Sequence, residues 1–221
     1  MRQNYRTWVF DCDGVIIDSN RVKTEAFRQV AQPYGEQVAE ALVAYHVRQG
    51  GVSRYEKFAY MLTDILGEPL LTEKVRDLAL LYGECVYRNL LVCPVAEGLK
   101  ELRRATAGSR WMIVSGGDQE ELRRLFAERG LAALFDGGIF GSPADKDEIL
   151  ARERSSGNLS FPALFVGDSR YDHEAAQRAG IDFVFASAWT EFSGWQDYVS
   201  TRQLAVVSSL KELVPMYTER C

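Results

Sequence analysis

The feature that most constrains this chain is a short apolar run near its start that ends abruptly in acid. Residues 8–10 are strand formers without polar alternation, which is typical of a strand buried on both faces of a sheet. Asp11 and Asp13 follow at once, and Gly14 permits a backbone turn that directs both carboxylates toward one cavity. Ligands of open parallel sheets bind at this strand end. An acidic loop without function has the same residues, so the rest of the chain must decide.

The composition argues against several classes of protein. The 221 residues, 47% of them hydrophobic, can bury one sizeable core with an insertion but not two large domains. A formal net charge of -5 without a basic cluster argues against a nucleic-acid partner and favours small metabolites. With no signal peptide and no apolar run near the roughly 20 residues of a membrane span, we expect a cytoplasmic protein without a membrane partner. The cysteines lack metal-binding spacing and are expected to be free thiols: Cys12, Cys85, Cys93 and Cys221.

An all-helical block follows the acidic stretch. Apolar residues recur there at helical spacing, and no strand alternation interrupts them before residue 91. Glycines and prolines divide the block into helices predicted at residues 20–33, 38–47, 55–66 and 72–89.

After residue 92 the hydrophobic period changes. Strands are predicted at residues 111–114, 138–140, 163–166, 183–185 and 204–207. Helices are predicted at residues 97–104, 119–129, 173–179 and 210–217, and residues 188–201 form a long aromatic loop. Strands that alternate with helices indicate parallel βαβ units, so we expect an α/β fold.

Polar residues cluster where these elements meet. Ser115 and Gly116 follow one strand, and a hydroxyl with glycine amides at a helix start can hold an anion. Asp168 and Asp172 follow another strand, and carboxylates four residues apart can share a magnesium ion. Each cluster also has a plain interpretation, because Asp172 can simply cap a helix and Lys146 can be a solvated lysine.

Taken in this order, the four motifs resemble those of the haloacid dehalogenase-like hydrolase superfamily. The closest resemblance is to its phosphatase branch with a helical cap, which includes proteins similar to phosphoglycolate phosphatase and β-phosphoglucomutase. The resemblance implies a Rossmann-like parallel sheet flanked by helices, with a small all-α cap inserted after the first strand. It places the core at residues 1–19 and 92–221 and the cap at residues 20–91.

The resemblance also implies roles for individual residues. Asp11 would be the nucleophile that forms an aspartyl-phosphate, and Asp13 would protonate the leaving oxygen and then activate water. Ser115, Gly116 and Lys146 would bind the phosphate, although many relatives have proline after that lysine where this chain has Asp147. A magnesium ion would be held by Asp11, Asp13 (through its backbone carbonyl), Asp168 and Asp172.

An acid at position 13 suits an alkoxide leaving group, whereas the dehalogenase branch lacks it. We therefore expect a magnesium-dependent phosphate-monoester hydrolase acting on a phosphorylated sugar or organic acid. In the cap, Arg54 lies in a segment similar to one that meets a second phosphate in β-phosphoglucomutase, and Lys23 is a candidate contact for an anionic substrate. A phosphosugar mutase and a non-catalytic protein that binds phosphorylated ligands are the alternatives, and the chain is either a monomer or a homodimer.

Overall fold

A six-stranded parallel sheet forms the centre of the protein, whose computed structural model describes residues 4–217. Its strands are β1 (Thr7–Phe10), β2 (Arg110–Asp118), β3 (Gly138–Ser142), β4 (Ala163–Gly167), β5 (Asp182–Ala186) and β6 (Ala205–Val207). Their order across the sheet is β3-β2-β1-β4-β5-β6, which is the Rossmann order. The predicted α/β fold with a parallel sheet is therefore confirmed, and β1 lies at the middle of the sheet, where the strand order reverses.

Helices connect the strands. They are α1 (Asn20–Ala31), α2 (Glu36–Arg48), α3 (Arg54–Tyr60), α4 (Thr72–Leu90), α5 (Leu99–Ala105), α6 (Gln119–Glu128), α7 (Lys146–Ser155), α8 (Arg170–Ala179), α9 (Trp195–Arg202) and α10 (Val214–Tyr217). Turns of 3₁₀ helix lie at Gln32–Tyr34, Ala132–Leu134 and Leu210–Leu213, and a turn of π-helix lies at Met61–Ile65. Helices α1 to α4 fall within residues 20–91, which we call the cap segment. The division into a cap domain and a core domain stays a prediction.

Strand β1 is buried because its alternate side chains enter two different parts of the core. Trp8 and Phe10 belong to one apolar cluster, whereas Val9 belongs to a second cluster on the opposite face. The centroid of the Phe10 ring lies 4.6 Å from the centroid of the Trp111 ring on β2. This packing fixes the end of β1, and therefore the start of the acidic stretch, in the interior.

The prediction of a loop over residues 188–201 is wrong in its second half, because α9 begins at Trp195. Gly194 adopts a left-handed conformation before the helix, and the Trp195 ring stacks on Phe185 at 5.5 Å. Tyr198 and Val199 are buried beside it. These three residues have the i, i+3, i+4 spacing of a helix face, but in an eight-residue helix the pattern repeats too little to stand out.

The remaining predictions about the whole chain concern cysteines and membranes. Cys12, Cys85 and Cys93 are free thiols, as expected, and Cys221 lies outside the described residues. Within residues 4–217, no helix combines the length and the apolar character that crossing a bilayer requires.

Candidate active site

The register of the sheet brings three polar strand ends together. Phe10 pairs with Ile113 on β2 and with Val166 on β4. The next residue, Asp11, donates its backbone N–H to the Val166 carbonyl at 3.0 Å. Because all three strands are parallel, the part of β2 beyond Ile113 and the residues that follow β4 lie beside Asp11.

Three buried carboxylates meet at this edge. Asp11, Asp168 and Asp172 each offer an oxygen, and these oxygens lie within 4.8 Å of one another. Burial, with repulsion from neighbouring carboxylates, raises the pKa of Asp11 to about 7 despite the nearby Lys146 ammonium. Burial and the charge of Asp172 raise the pKa of Asp168 well above its usual range. Three buried carboxylate oxygens this close together fit a hard divalent cation such as magnesium.

Gly14 and Asn20 hold Asp168 in place. The Gly14 φ is +75°, and a Cβ there would lie 2.1 Å from Asp168 Oδ2, so only glycine fits. Asn20 donates from Nδ2 to Asp168 Oδ2 at 2.8 Å and to the Trp189 carbonyl at 2.9 Å. Sequence reasoning missed Asn20, because no spacing rule links it to a partner 148 residues away.

Lys146, the first residue of α7, offsets part of the negative charge of these carboxylates. Its ammonium donates to Asp11 Oδ1 at 2.9 Å and also to Asp172 Oδ1. Burial alone would lower the pKa of Lys146, but the two carboxylates outweigh burial and raise it. Asp147 turns away and accepts two 2.7 Å hydrogen bonds from Arg178, so the absence of proline here does not displace the lysine.

Asp172 caps a helix, which is one of the two interpretations that the sequence left open, and its other oxygen contacts Lys146. Its Oδ2 accepts hydrogen bonds from Ser169 N–H at 3.0 Å and Ser169 Oγ at 2.7 Å, which completes a capping box at the start of α8. Its Oδ1 faces Lys146. The capping box at the start of α8 therefore fixes the orientation of the Asp172 carboxylate relative to the rest of the site.

Asp13 lies outside the acidic triad and is bonded to the cap segment. Lys23 Nζ lies 2.6 Å from Asp13 Oδ2, and Ser19 Oγ donates to Asp13 Oδ1 at 2.5 Å. Burial would raise the pKa of Asp13, but the charge of Lys23 and these hydrogen bonds outweigh it and lower the pKa. In this structure Lys23, which the sequence suggested as a substrate contact, therefore keeps Asp13 ionised.

Arg54 joins the cap segment to the sheet side of the site. Its guanidinium forms two hydrogen bonds with Glu121 on α6, at 2.6 and 3.0 Å, and lies over the Tyr82 ring. A bidentate contact of this kind fixes the positions of both side chains. Arg54 also lines the cavity, but its expected role toward a second phosphate competes with Glu121, a residue that sequence reasoning missed.

The strand predicted at residues 111–114 extends to Asp118, so Ser115, Gly116 and Gly117 lie within β2, and this end of the strand contacts the cap segment through its backbone. Ser115 is buried, and its Oγ accepts a hydrogen bond from Gly117 N–H at 3.1 Å. A Cβ on Gly116 would lie 2.2 Å from the Gly51 carbonyl oxygen, so this approach requires glycine. Gly116 and Gly117 both line the cavity.

The cavity between these groups has a volume of about 400 Å³, which suits a small metabolite. Asp11, Asp13, Gly116 and Asp168 line one side. The structure thus gathers most of the predicted site residues around one space, with Ser115, Lys146 and Asp172 buried behind it. Their chemical roles stay predictions.

A buried lysine on α3, which sequence reasoning missed, lines the opposite side of the cavity. Lys57 Nζ lies 2.8 Å from His46 Nδ1 on α2. Burial, followed by repulsion from Lys23, lowers the pKa of Lys57 to about 7. Burial also lowers the pKa of His46 well below its usual range, so the imidazole is neutral.

Comparison with known proteins relates most of the chain to one family. A family model for haloacid dehalogenase-like hydrolases matches residues 5–180. A phosphorylated carbohydrates phosphatase from Thermotoga maritima is 28% identical over 187 residues, covering 80% of this chain and 82% of that protein. The tyrosine-protein kinase PtkA of Mycobacterium tuberculosis is 26% identical over 210 residues, covering 93% of this chain and 70% of the kinase.

A solved structure shows the same fold. The crystal structure of a predicted phosphatase from Clostridium acetobutylicum superposes with a TM-score of 0.74 at 17% identity, covering 96% of this chain and 98% of the other.

The contact between Gly116 and Gly51 predicts that Gly116→Ala displaces the cap loop at residues 49–52, because the new Cβ would collide with the Gly51 carbonyl. We expect amide hydrogen exchange in that loop to accelerate on the order of tenfold, the equivalent of ~1.4 kcal/mol. Gly117→Ala is the matched control, since its Cβ would meet only the Leu122 side chain at 3.3 Å. Equal acceleration in both variants would contradict the prediction.

Burial of Lys57 predicts that Lys57→Met stabilises the protein in a pH-dependent way. The folded-state pKa of about 7 lies below the usual 10.5, so the lysine destabilises the fold fully below pH 7 and progressively less as pH rises to 10.5. Thermal unfolding should show a midpoint raised by about 5 °C at pH 6, with the gain shrinking by pH 9.5. A gain that grows with pH would refute this.

Proposed function

We propose, because this chain belongs to the haloacid dehalogenase-like hydrolase family, that it is a magnesium-dependent phosphate-monoester hydrolase for small phosphorylated metabolites. The observation that carries the proposal is the pairing of Asp11, buried against Lys146, with a second carboxylate, Asp13, on the same cavity. A nucleophile and a separate acid and base are what the two steps of ester hydrolysis require. The phosphatase named among the relatives agrees with this assignment.

The donor set fits magnesium, and the remaining residues fit a phosphoryl group. Asp11, Asp168 and Asp172, with the backbone carbonyl of Asp13, would hold the ion. When bound, magnesium supplies positive charge that offsets the repulsion between these carboxylates and a phosphate dianion. Lys146 and the Gly116 amide, with the Ser115 hydroxyl, would bind the phosphoryl oxygens.

In the first step, Asp11 attacks phosphorus. Lys146 holds Asp11 Oδ1, which leaves Oδ2 as the attacking oxygen. The bond between Oδ2 and phosphorus forms while the ester bond breaks, and Asp13 protonates the departing alkoxide. Asp13 is ionised beside Lys23 in this structure, and repulsion from an arriving phosphate dianion would raise its pKa so that it takes up a proton from water before it acts as the acid.

In the second step, water attacks phosphorus in the aspartyl-phosphate. Asp13, having given up its proton, takes a proton from that water, and its hydrogen bonds to Lys23 and Ser19 hold it in position. The bond between phosphorus and Asp11 breaks, and inorganic phosphate leaves. The cap segment covers the cavity and limits the access of bulk water to this intermediate.

The purified protein is expected to release phosphate from members of a panel of sugar phosphates, phosphorylated organic acids and an aryl phosphate. Release should require magnesium and stop with chelator. Asp11→Asn should lower the rate at least about 10³-fold, because it removes the nucleophile. Asp147→Asn is the control, since that carboxylate pairs with Arg178. Turnover that depends on an added sugar bisphosphate would instead identify a mutase.

The roles given to Asp13 predict a trapped intermediate in Asp13→Asn. With an aryl phosphate, whose leaving group needs little acid assistance, the first step should continue. The second step should slow about 10²- to 10⁴-fold without the base. Acid-quenched protein should then carry a phosphoryl group on Asp11, detectable by intact mass. Failure of this variant to accumulate phosphoenzyme, while it still binds substrate, would remove Asp13 from the second step.

A further inference from the structure

Four buried cations surround the site, and three of them have carboxylate partners. Lys146 is bonded to Asp11 and Asp172, Lys23 to Asp13, and Arg54 to Glu121. Within residues 4–217, no carboxylate lies within 4.0 Å of Lys57, although its side chain is only 3% exposed. Lys57 is therefore the buried cation of this site that remains without a counter-ion.

No described neighbour forms an ion pair with Lys57, although the charges of Asp13 and Glu56 attract it from beyond that distance. His46, its hydrogen-bonding partner, is neutral, and the Phe27 ring lies 5.5 Å from Lys57 Nζ. Burial disfavours the charged form of a lysine, so a buried lysine is held as an ammonium when an anion pairs with it.

The geometry leaves Lys57 able to bind a ligand in the cavity. An ammonium has three N–H donors, and His46 Nδ1 accepts one of them. Both residues line the cavity, on the side that the cap segment contributes. Two donors therefore remain for oxygen atoms of a bound molecule whose phosphoryl group lies at Asp11.

The single positive charge of Lys57 indicates which anionic group the bound molecule carries. A single unpaired ammonium matches one negative charge, as on a carboxylate. A second phosphate group carries up to two charges and favours a bidentate arginine, but Glu121 occupies the Arg54 guanidinium. A neutral sugar would leave the ammonium uncompensated.

We propose that Lys57, held by His46, is a specificity residue that binds a carboxylate, and that the substrate is the phosphate ester of a small hydroxy acid. This inference rests on the proposed function for the position of the phosphoryl group. It selects phosphorylated organic acids over sugar phosphates and bisphosphates. Sequence spacing gives no indication of it, since the isolation of Lys57 arises only in the packed site.

The test compares esters that differ only in the carboxylate. Phosphoglycolate is paired with 2-hydroxyethyl phosphate, and 3-phosphoglycerate with glycerol 3-phosphate. Affinities are measured by calorimetry with magnesium in Asp11→Asn, which does not require turnover, and kcat/KM is measured in the otherwise unaltered protein. We expect at least one carboxylate ester to be favoured about 10- to 100-fold over its neutral partner, and Lys57→Met to abolish that ratio.

Two further variants distinguish loss of the carboxylate contact from a general loss of binding or activity. Lys57→Arg keeps the charge and should restore part of the preference. Lys74→Met removes a half-buried lysine from the same cap segment, where it pairs with Glu68, and should leave the ratio unchanged. Binding without a carboxylate preference in either pair, or an equal loss for both partners in Lys57→Met, would overturn the inference. If the unaltered protein turns over neither ester nor an aryl phosphate, the proposed function fails, and the calorimetry alone decides the carboxylate site.

Discussion

The site depends on a buried lysine that offsets the repulsion between three buried carboxylates. Asp11, Asp168 and Asp172 share one small space, and their burial is tolerable because Lys146 lies between two of them. The sheet makes this crowding unavoidable, since β1 and β4 are parallel neighbours and end at the same level. A site of this kind is compatible with a divalent cation, and Lys146 holds the Asp11 carboxylate in one orientation.

The cap segment contributes charge as well as cover. Lys23 on α1 sets the ionisation of Asp13, and Arg54 on α3 pairs with Glu121 on α6. Both contacts cross from the cap segment to the strands and helices of the sheet. Separating the two parts would therefore break the contact with Lys23 that lowers the pKa of Asp13.

Much of the fold followed from local sequence signals. The strand at residues 8–10, the change of period after residue 92 and the glycine-rich strand ends all act over a few residues, and each predicted the element that the structure contains. The helix at Trp195–Arg202 was missed because its apolar face spans only two turns. Asn20 was missed for a different reason, since its hydrogen bond to Asp168 depends on how the first helix lies over the sheet.

The sequence by itself determined the fold class and the gathering of Asp11, Ser115 and Asp168 at one sheet edge, because parallel strands bring their carboxyl ends together wherever they occur. Lys146 was assigned to this edge only by the family resemblance. Only the tertiary structure decided which charges are paired. The partner of Arg54 lies 67 residues away, and Lys57 is left without a counter-ion because its neighbours are committed elsewhere. Such pairings depend on which side chains are within hydrogen-bonding distance after packing, and no spacing along the chain encodes that distance.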